Sequence, residues 1–473
     1  MRTCLQFLIF CIAAGASLAA SATDRAPAPD WAEFEEETLR HFVTLVRFDT
    51  TDPPGGEKAA ADYLVQVLQA EDIPVQTFAL EAHRPNVVAR LKGNGSKPPV
   101  LIMAHTDTVN VDPAKWQFGP FSAERDGGYI YGRGTVDDKD NVVAALMVML
   151  TLKRLNVPLD RDVIFLAEAG EEGATKIGIE YMVSNHLDQI QAEYCYAEGG
   201  GVVRQNQSVR FAAVQTMEKI PRAIALTARG PAGHGSVPLM DNAVVHLSSA
   251  VSAVGNWRIP IRLNETTRAF FQRLAAISPP EDAQRYMDVQ HPDPAVRDPA
   301  DDYLRRHEPL RASMLRSSIS PTIIDGGYRV NVIPSEATAT LDTRLEPTED
   351  AEAFLEQVRE VIDDPAIDVS WAPRNIRPAG TSRLDTEAFE VIESNIARHY
   401  DTTTLPTMST GATDMAYLRA KGIQCYGIGP AIDIEDGPKG FGAHSDQERI
   451  LESELQRFAR FHYDIVADLA RAR

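Results

Sequence analysis

Residues 100–107 read VLIMAHTD, a short run of apolar residues that ends in a histidine and an aspartate. A run of this length and composition is typical of a strand buried on both faces of a parallel sheet. Residues 162–167 and 194–197 form two more such runs, and helical patterns at 141–155 and 179–183 separate the three. Strands that alternate with helices indicate an α/β fold, with a mainly parallel sheet sandwiched by helices.

The middle third of the chain has a different pattern. Residues 220–229 and 329–344 alternate between apolar and polar positions like half-exposed strands. The segment near 265–317 is charged, interrupted by proline and mostly helical in its pattern. Because the strand–helix alternation then returns, we predict an α+β domain at 216–378 inserted into the α/β domain.

Composition excludes several classes of protein. The 473 residues are 44% hydrophobic and 24% charged, which is typical of a globular protein and not of a disordered, collagen-like or coiled-coil chain. Asp and Glu total 67 against 47 Lys and Arg, so the formal net charge is −20. A nucleic-acid partner held by a broad basic surface is therefore not expected.

The first 22 residues have the pattern of a secretory signal peptide. Arg2 supplies a positive charge, residues 5–18 are apolar, and the Ala-Ser-Ala ending at Ala22 suits cleavage. The alternative is a membrane anchor, but the apolar run is shorter than the ~20 residues that a spanning helix needs. We predict a protein exported to the periplasm or secreted, with no membrane span after cleavage. The two later cysteines, Cys195 and Cys425, form either one disulfide or two buried thiols.

Residues that bind metals occur where the predicted strands end. Taken singly, each belongs to a motif that also occurs in ordinary turns and solvated loops; together they are His105, Asp137, Glu172, Glu198 and His444. Open α/β sheets bind ligands at the carboxyl ends of their strands. Nitrogen and oxygen donors without thiolates suit zinc, with cobalt or manganese as substitutes. Two histidines and three carboxylates suit two ions if one carboxylate bridges them.

Two neighbours of these residues suggest supporting roles. Asp107 lies two positions after His105, on the same face of an extended chain, and can therefore orient its ring. In the pair Glu171–Glu172, one carboxylate can bind an ion while the other accepts a proton from a water molecule. Both patterns favour hydrolytic chemistry.

Seven motifs together resemble the di-zinc metallopeptidase family of aminoacylases, acetylornithine deacetylase, succinyl-diaminopimelate desuccinylase, glutamate carboxypeptidase, carnosinase-type dipeptidases and carboxypeptidase S. They occur in the family's order, and they are AHTDTV, GRGTVDDKDN, AGEEG, EGG, GHGSVP, NVIPSEATATLDTR and the GAH loop at 442–444. The resemblance implies a zinc-exopeptidase-like catalytic domain with an inserted α+β lid and dimerisation domain. The implied boundaries are 1–22 for the signal peptide, 23–215 and 379–473 for the two parts of the catalytic domain, and 216–378 for the lid.

The resemblance also implies the metal ligands. One Zn²⁺ would be held by His105, Asp137 and Glu198, and the other by Asp137, Glu172 and His444, so that Asp137 bridges. Glu171 takes the position of the general base, and Asp107 that of the acid that orients the histidine. The Asp137–Asp138 peptide matches a bond that is cis in the family.

On the lid, the resemblance assigns three more residues. His234 matches the histidine that stabilises the oxyanion, Arg344 matches the arginine that binds the substrate carboxylate, and Asn331 is expected to help hold substrate. Residues 409–414 either line the pocket or form a plain Gly/Thr turn. The chain departs from the family pattern at Asp140 and Gly170, which puts the geometry of those two loops in doubt.

The implied activity is hydrolysis of the amide bond of a small peptide or N-acyl amino acid with a free carboxylate, by a carboxypeptidase or a deacylase. A dipeptidase or aminopeptidase of the same family is the alternative, and an inactive binding protein is a remote one. A homodimer through the inserted domain is possible, although the insertion at 265–317 could block it. Three other histidines, His41, His186 and His462, are predicted to lie on the surface.

Overall fold

The computed structural model describes residues 27–373 and 376–472, so the predicted signal peptide lies outside the described residues. Its strands are β1 Val75–Phe78, β2 Asn86–Leu91, β3 Val100–His105, β4 Glu124–Asp126, β5 Tyr129–Tyr131, β6 Val163–Glu168, β7 Tyr194–Ala197, β8 Gly201–Gln205, β9 Ser208–Glu218, β10 Ile220–Arg229, β11 Gly233–His234, β12 Ser318–Gly326, β13 Val332–Ile333, β14 Glu336–Leu345, β15 Ile367–Trp371, β16 Thr404–Ser409, β17 Gln424–Gly427, β18 Ala431–Asp433 and β19 Arg449–Leu451. Its helices are α1 Trp31–Val46, α2 Lys58–Ala70, α3 Lys139–Arg154, α4 Ile179–Asn185, α5 Leu187–Ile190, α6 Ala243–Asn256, α7 Glu265–Ala276, α8 Pro280–Asp288, α9 Pro294–His307, α10 Pro309–Met314, α11 Ala351–Ile362, α12 Glu387–Tyr400, α13 Met415–Arg419 and α14 Glu452–Ala470.

The central sheet has a parallel core. In the described part of the chain, ten strands join in the order β1-β2-β6-β3-β7-β17-β9-β8-β18, with β16 paired to β9. Strands β6, β3, β7 and β17 run parallel, whereas β1, β2 and the hairpin β8–β9 add antiparallel pairs. The predicted α/β fold with a mainly parallel sheet is therefore confirmed.

The stretch at 100–105 shows why this sheet is buried on both faces. Every residue of β3 and of β6 is buried. Alternate side chains of a strand point to opposite faces. Val100 and Ile102 accordingly pack into the core formed with α1, α3 and α14, and Leu101 and Met103 into the core formed with α4 and α13. Because nearly every residue of the strand is apolar, the strand packs into an apolar core on each of its two faces.

A second sheet forms the centre of the inserted unit. It is antiparallel, with the order β12-β14-β10-β15, and α6 and α11 cover one of its faces. The chain enters it at the β9–β10 junction, where the buried Glu218 accepts hydrogen bonds from Thr413 N and Oγ1 and pairs with Arg419 at 3.0 Å. These bonds fix the entry strand to the α/β unit.

The helices α7–α10 pack away from the inserted sheet. Phe270, Phe271 and Leu274 of α7 share a core with Leu405 and Met408 of β16. The helical segment that follows α6 in sequence therefore belongs, by its packing, to the edge of the central sheet.

The prediction of three surface histidines is wrong for two of them. His462 is 1% exposed on α14, and burial lowers its pKa to about 3. His41 is also buried, and its Nδ1 lies 2.7 Å from Tyr63 Oη. Both helices turn these positions toward the core. The two cysteines, in contrast, match one of the alternatives left open: Cys195 and Cys425 are free, buried thiols at paired positions of β7 and β17.

A search for membrane-spanning helices among the described residues identifies none that is long and apolar enough.

Candidate active site

Two groups of ligand atoms meet at the carboxyl ends of the parallel strands. His105, Asp137 and Glu198 form the first group and Asp137, Glu172 and His444 the second, and the ligand atoms in each group lie within 4.8 Å of one another. Asp137 Oδ1 is 3.0 Å from His105 Nε2, while its Oδ2 is 3.0 Å from His444 Nε2. Asp137 thus turns one oxygen to each group.

Strand ends and one loop bring these side chains together. His105 ends β3, Glu172 follows β6, and Glu198 directly follows β7. Asp137 precedes α3, and its peptide bond to Asp138 is cis, as the resemblance implies. His444 reaches the site from a loop, where its φ of 60° lies in the left-handed region that few non-glycine residues adopt.

The donor set fits two divalent cations of the zinc type. Each group offers one imidazole nitrogen and two carboxylates, without a thiolate. A carboxylate that presents one oxygen to each of two groups can bridge two ions. Glu172 Oε1 lies 3.1 Å from His444 Nε2, and Glu198 Oε2 lies 3.6 Å from His105 Nε2. The residues that would hold the ions are thus already gathered around two positions.

Asp107 organises the loop that carries both glutamates. Its carboxylate accepts hydrogen bonds from the backbone N–H groups of Gly170, Glu171 and Glu172 at 2.8 to 3.2 Å. Its carboxylate also lies 3.5 Å from Nδ1 of His105, and its carbonyl oxygen 3.1 Å from the same nitrogen. Asp107 therefore contacts the His105 ring, which is consistent with the orienting role predicted for it, and also holds the loop that carries Glu171 and Glu172.

Replacing Asp107 by Asn is expected to lower kcat/KM by about 10- to 100-fold, the usual effect of losing an outer partner of a metal ligand. The amide would place an N–H group against three backbone donors. Steady-state kinetics and metal analysis of Asp107→Asn test this, with Asp112→Asn, on an exposed turn, as the control. Unchanged kcat/KM would contradict the role given to Asp107.

Glu171 lies beside the two groups and is only 8% exposed. Burial raises the pKa of its carboxyl group, and the negative charge of Glu198 adds to the effect. A guanidinium group opposes both: Arg377 Nη1 donates to Glu171 Oε1 at 3.2 Å and to Asp414 Oδ1 at 2.9 Å. No sequence motif singles out Arg377, which lies 206 positions away from Glu171.

The departure at Gly170 has a structural reason. Its φ is 78°, and a Cβ at this position would lie 2.7 Å from the carbonyl oxygen of Ala174. Only glycine fits that turn without displacing backbone. The other departure, Asp140, is fully buried on α3, and neither of its carboxylate oxygens has a hydrogen-bond partner among the described residues.

His234, Asn331 and Arg344 all lie on the inserted unit, with Arg344 at the end of β14 that pairs with Pro221. His234 is exposed, and its Nδ1 accepts a hydrogen bond from Ser236 N at 3.2 Å. Asn331 accepts from Gly235 N through its carbonyl oxygen, next to His234. Arg344, on β14, is half-buried and bonds Asp342. The structure does not bring these three residues into contact with the metal ligands; it places them on the second unit.

Contacts with carboxylates raise the pKa of both candidate ligand histidines. Hydrogen bonds to Asp137 and Glu172 raise the pKa of His444 to about 10. Burial alone would lower the pKa of His105, but its contacts with Asp107, Asp137 and Glu198 raise it well above its ordinary value. The carboxylates around both histidines therefore favour the charged imidazolium form.

Metal binding is therefore expected to release protons, and its affinity is expected to fall as the pH falls. Because the pKa of His444 is about 10, this histidine is protonated from pH 6.5 to 8.5 and must lose its proton to bind a cation. Affinity changes by up to about tenfold per pH unit for each proton displaced. Calorimetric titration with Zn²⁺ in buffers of different ionisation enthalpy counts these protons. His444→Asn should release fewer, and heats that do not depend on the buffer would contradict the expectation.

These features define a class of protein: a hydrolase with two adjoining candidate groups of cation ligands and a buried carboxylate beside them. The chain belongs to Peptidase family M20/M25/M40, whose model matches residues 101–468. It is thus a metal-dependent hydrolase that acts on peptide or N-acyl amide bonds.

Named relatives are consistent with this class. "Probable carboxypeptidase S-like 2" of Dictyostelium discoideum is 29% identical over 382 residues, 78% of this chain and 72% of that protein. The N-fatty-acyl-amino acid synthase/hydrolase PM20D1 of Homo sapiens is 26% identical, over 79% of this chain and 75% of its own. In fold, the M20 family metallo-carboxypeptidase Sso-CP2 from Sulfolobus solfataricus matches with a TM-score of 0.68 and 20% identity, covering 92% of this chain and 99% of that one.

Proposed function

We propose that the protein is an exported, zinc-dependent exopeptidase or N-acyl-amino-acid deacylase that requires a free carboxylate on its substrate. The observation that carries the proposal is Asp137, whose two oxygens each face one histidine–carboxylate group, with Glu171 buried alongside. Nitrogen and oxygen donors without thiolate favour zinc, with cobalt or manganese as substitutes. Export follows from the signal pattern of residues 1–22.

Glu171 is the proton carrier of the proposed reaction. Two bound zinc ions would lower the pKa of a water molecule and polarise the scissile carbonyl. Glu171 accepts the proton of the attacking water and later returns it to the leaving amine. Arg377 keeps the Glu171 carboxylate in place through Oε1, and its Nη2 also donates to the Glu171 carbonyl oxygen at 3.3 Å.

The inserted unit would recognise the carboxyl end of the substrate. Arg344 has a planar guanidinium that can donate two parallel hydrogen bonds to a carboxylate. His234, exposed on the same unit, is assigned to the developing oxyanion, with Asn331 beside it. Because these three residues and the metal ligands lie on different units, we propose that closure of the inserted unit completes the site.

A homodimer through the inserted unit is part of the proposal. Strand β12 is an edge of that sheet, and on it Ile323 and Ile324 are each 61% exposed. An exposed apolar edge is a template for pairing with a second strand. Sedimentation velocity tests this pairing, since Ile324→Lys should shift a dimer to monomer and an unchanged coefficient would exclude this edge.

A competitive hydrolysis assay tests the function. The zinc-loaded protein would receive N-acyl amino acids, free dipeptides and C-terminally amidated dipeptides in one pool, read by mass spectrometry. We expect cleavage of free carboxylates, and the ratio of acyl to peptidyl products separates a deacylase from a carboxypeptidase or dipeptidase. If amidated dipeptides are cut equally well, an aminopeptidase is the correct assignment.

Replacing Arg344 by Ala is expected to lower kcat/KM for free-carboxylate substrates by about 10- to 100-fold. A loss of this size corresponds to the free energy that hydrogen bonds to a charged group contribute. Amidated substrates should be unaffected because they offer no carboxylate. Arg229→Ala, an exposed arginine on β10 paired with Glu336, is the matched control. An equal loss on both substrate types would show that Arg344 acts on structure and not on recognition.

A further inference from the structure

A groove lies between the helices α7–α10 and the edge of the central sheet, along the hairpin β8–β9. Its volume is about 670 Å³, and alternate residues of three strands form its floor: Val203 on β8, Phe211 and Ala213 on β9, and Thr407 on β16. Small-molecule sites have volumes of about 300–1,000 Å³ and mostly apolar walls. The groove has the size and the lining of such a site.

The packing of the helices explains why the floor is open. Residues that alternate with the floor, such as Val202, Ala212 and Val214, point to the opposite face and are buried in the main core. On the groove side, α7 covers Leu405 and Met408 of β16 but leaves Phe211 partly exposed. Apolar residues therefore line a surface that no other described element covers.

Two apolar side chains at the rim of the groove are exposed to solvent. Leu310, on α10, is 65% exposed, and Ile434, on the opposite side, is 46% exposed. Phe270, Leu274 and Met314 form the wall below Leu310. An alkyl chain laid between these two sides would remove both exposed residues and the floor from water, which is the favourable term in binding.

The charges at the groove favour an anionic head group. Glu308 pairs with Arg311, and Asp282 pairs with Arg285, so both carboxylates at the rim are neutralised. Arg210 is exposed, and its Nη1 donates to the neutral Oε1 of Gln205 at 2.8 Å. Among the described residues, no carboxylate lies within ion-pair distance of Arg210. The positive charge of Arg210 is therefore available to an anionic ligand at the rim of the groove.

We propose that this groove binds an alkyl-chain carboxylate, with the chain on the floor formed by Val203, Phe211 and Ala213 and the head group at Arg210. Either a free fatty acid or an N-acyl amino acid supplies this chemistry. The head-group end of the groove lies apart from the metal ligands: Gln205 and Arg210 lie at the turn of the hairpin, four residues of strand or about 13 Å beyond Gly201, whereas Ala213, which pairs with Gly201, forms the end of the floor nearer to them. The inference does not depend on the reaction proposed above.

Binding of dodecanoate and of N-dodecanoyl-glycine to metal-loaded Glu171→Gln protein tests the proposal, by calorimetry below the micellar concentration. We expect one saturable site for at least one ligand, and the two titrations identify the source of the carboxylate. Affinity should rise about three- to fourfold per CH₂ from octanoate to dodecanoate, as for transfer of a methylene out of water. Arg210→Glu should weaken binding at least about fivefold by placing like charges together.

Two further variants make the result specific. Ala213→Trp should weaken binding at least tenfold because the indole fills the floor, and Arg383→Glu, an exposed charge reversal elsewhere, should leave affinity unchanged. In the active-enzyme background, both groove variants should hydrolyse a short-chain substrate normally, which shows that they fold. The proposal is overturned if no saturable binding occurs, or if Arg210→Glu and Ala213→Trp bind like the parent protein. Loss of binding on Arg344→Ala would assign the ligand to the catalytic cleft.

Discussion

Glu171→Gln is expected to lower kcat by about 10²- to 10⁴-fold, the range that general acid–base catalysis contributes, while the metal content stays unchanged. Glutamine keeps the size of the side chain and an oxygen for Arg377, but it cannot accept a proton. The loss should lie near the upper limit because Glu171 both takes and returns the proton. Steady-state kinetics together with inductively coupled plasma mass spectrometry of the purified variant measure both quantities.

A neighbouring glutamate provides the matched control. Glu168 ends β6, is 1% exposed, and has its pKa raised to about 8 by burial. At neutral pH its carboxyl group is therefore mostly protonated and resembles an amide. Glu168→Gln should retain turnover within a few-fold. Should Glu171→Gln keep normal turnover, the base must be sought elsewhere, and equal losses in both variants would indicate a structural effect.

Asp137→Asn is expected to remove both metal ions and to lower activity by at least about 10³-fold. The bound ions contribute several kcal/mol of transition-state stabilisation, and each 1.36 kcal/mol changes the rate tenfold. The effect is large because Asp137 belongs to both ligand groups. Metal analysis after dialysis and activity with added Zn²⁺, Co²⁺ or Mn²⁺ provide the measurement.

Variants that affect a single group are the comparison for Asp137. Glu198 belongs only to the first group and His444 only to the second. Glu198→Gln and His444→Asn should each reduce the metal content toward one ion per chain. If Asp137→Asn still bound two ions with normal affinity, Asp137 would not bridge, and the assignment of the two groups would have to change.

The local sequence pattern was sufficient to predict the parallel strands of the central sheet. Residues 100–105 and 163–168 are apolar at nearly every position, and a strand can be apolar throughout only where both of its faces are covered. The ends of such strands point to one edge, so His105, Glu172 and Glu198 were expected together. Asp137 and His444 were expected with them from their own glycine-rich motifs, and the structure places all five in two adjoining groups.

Contacts between distant segments were not predictable in the same way. Arg377 lies in the segment that leaves the inserted unit, and no pattern around it signals that its guanidinium reaches Glu171. The sequence predicts His462 on the surface because helix periodicity does not show how many neighbours surround a face, whereas α14 packs against both α3 and α12 and buries His462. The packing of α7 on β16 could not be predicted for the same reason.

The sequence by itself determined the α/β class, the inserted unit and the candidate metal ligands, because strand periodicity, strand ends and motif order are local properties of the chain. The tertiary structure alone decided that Asp137 divides its oxygens between two histidines, that Asp107 holds the glutamate loop by three backbone N–H groups, and that a groove remains beside β9. These features depend on distances between segments far apart in the chain, such as Asp137 and His444, which are 307 positions apart. Such distances are set by how layers pack, and local pattern does not encode them.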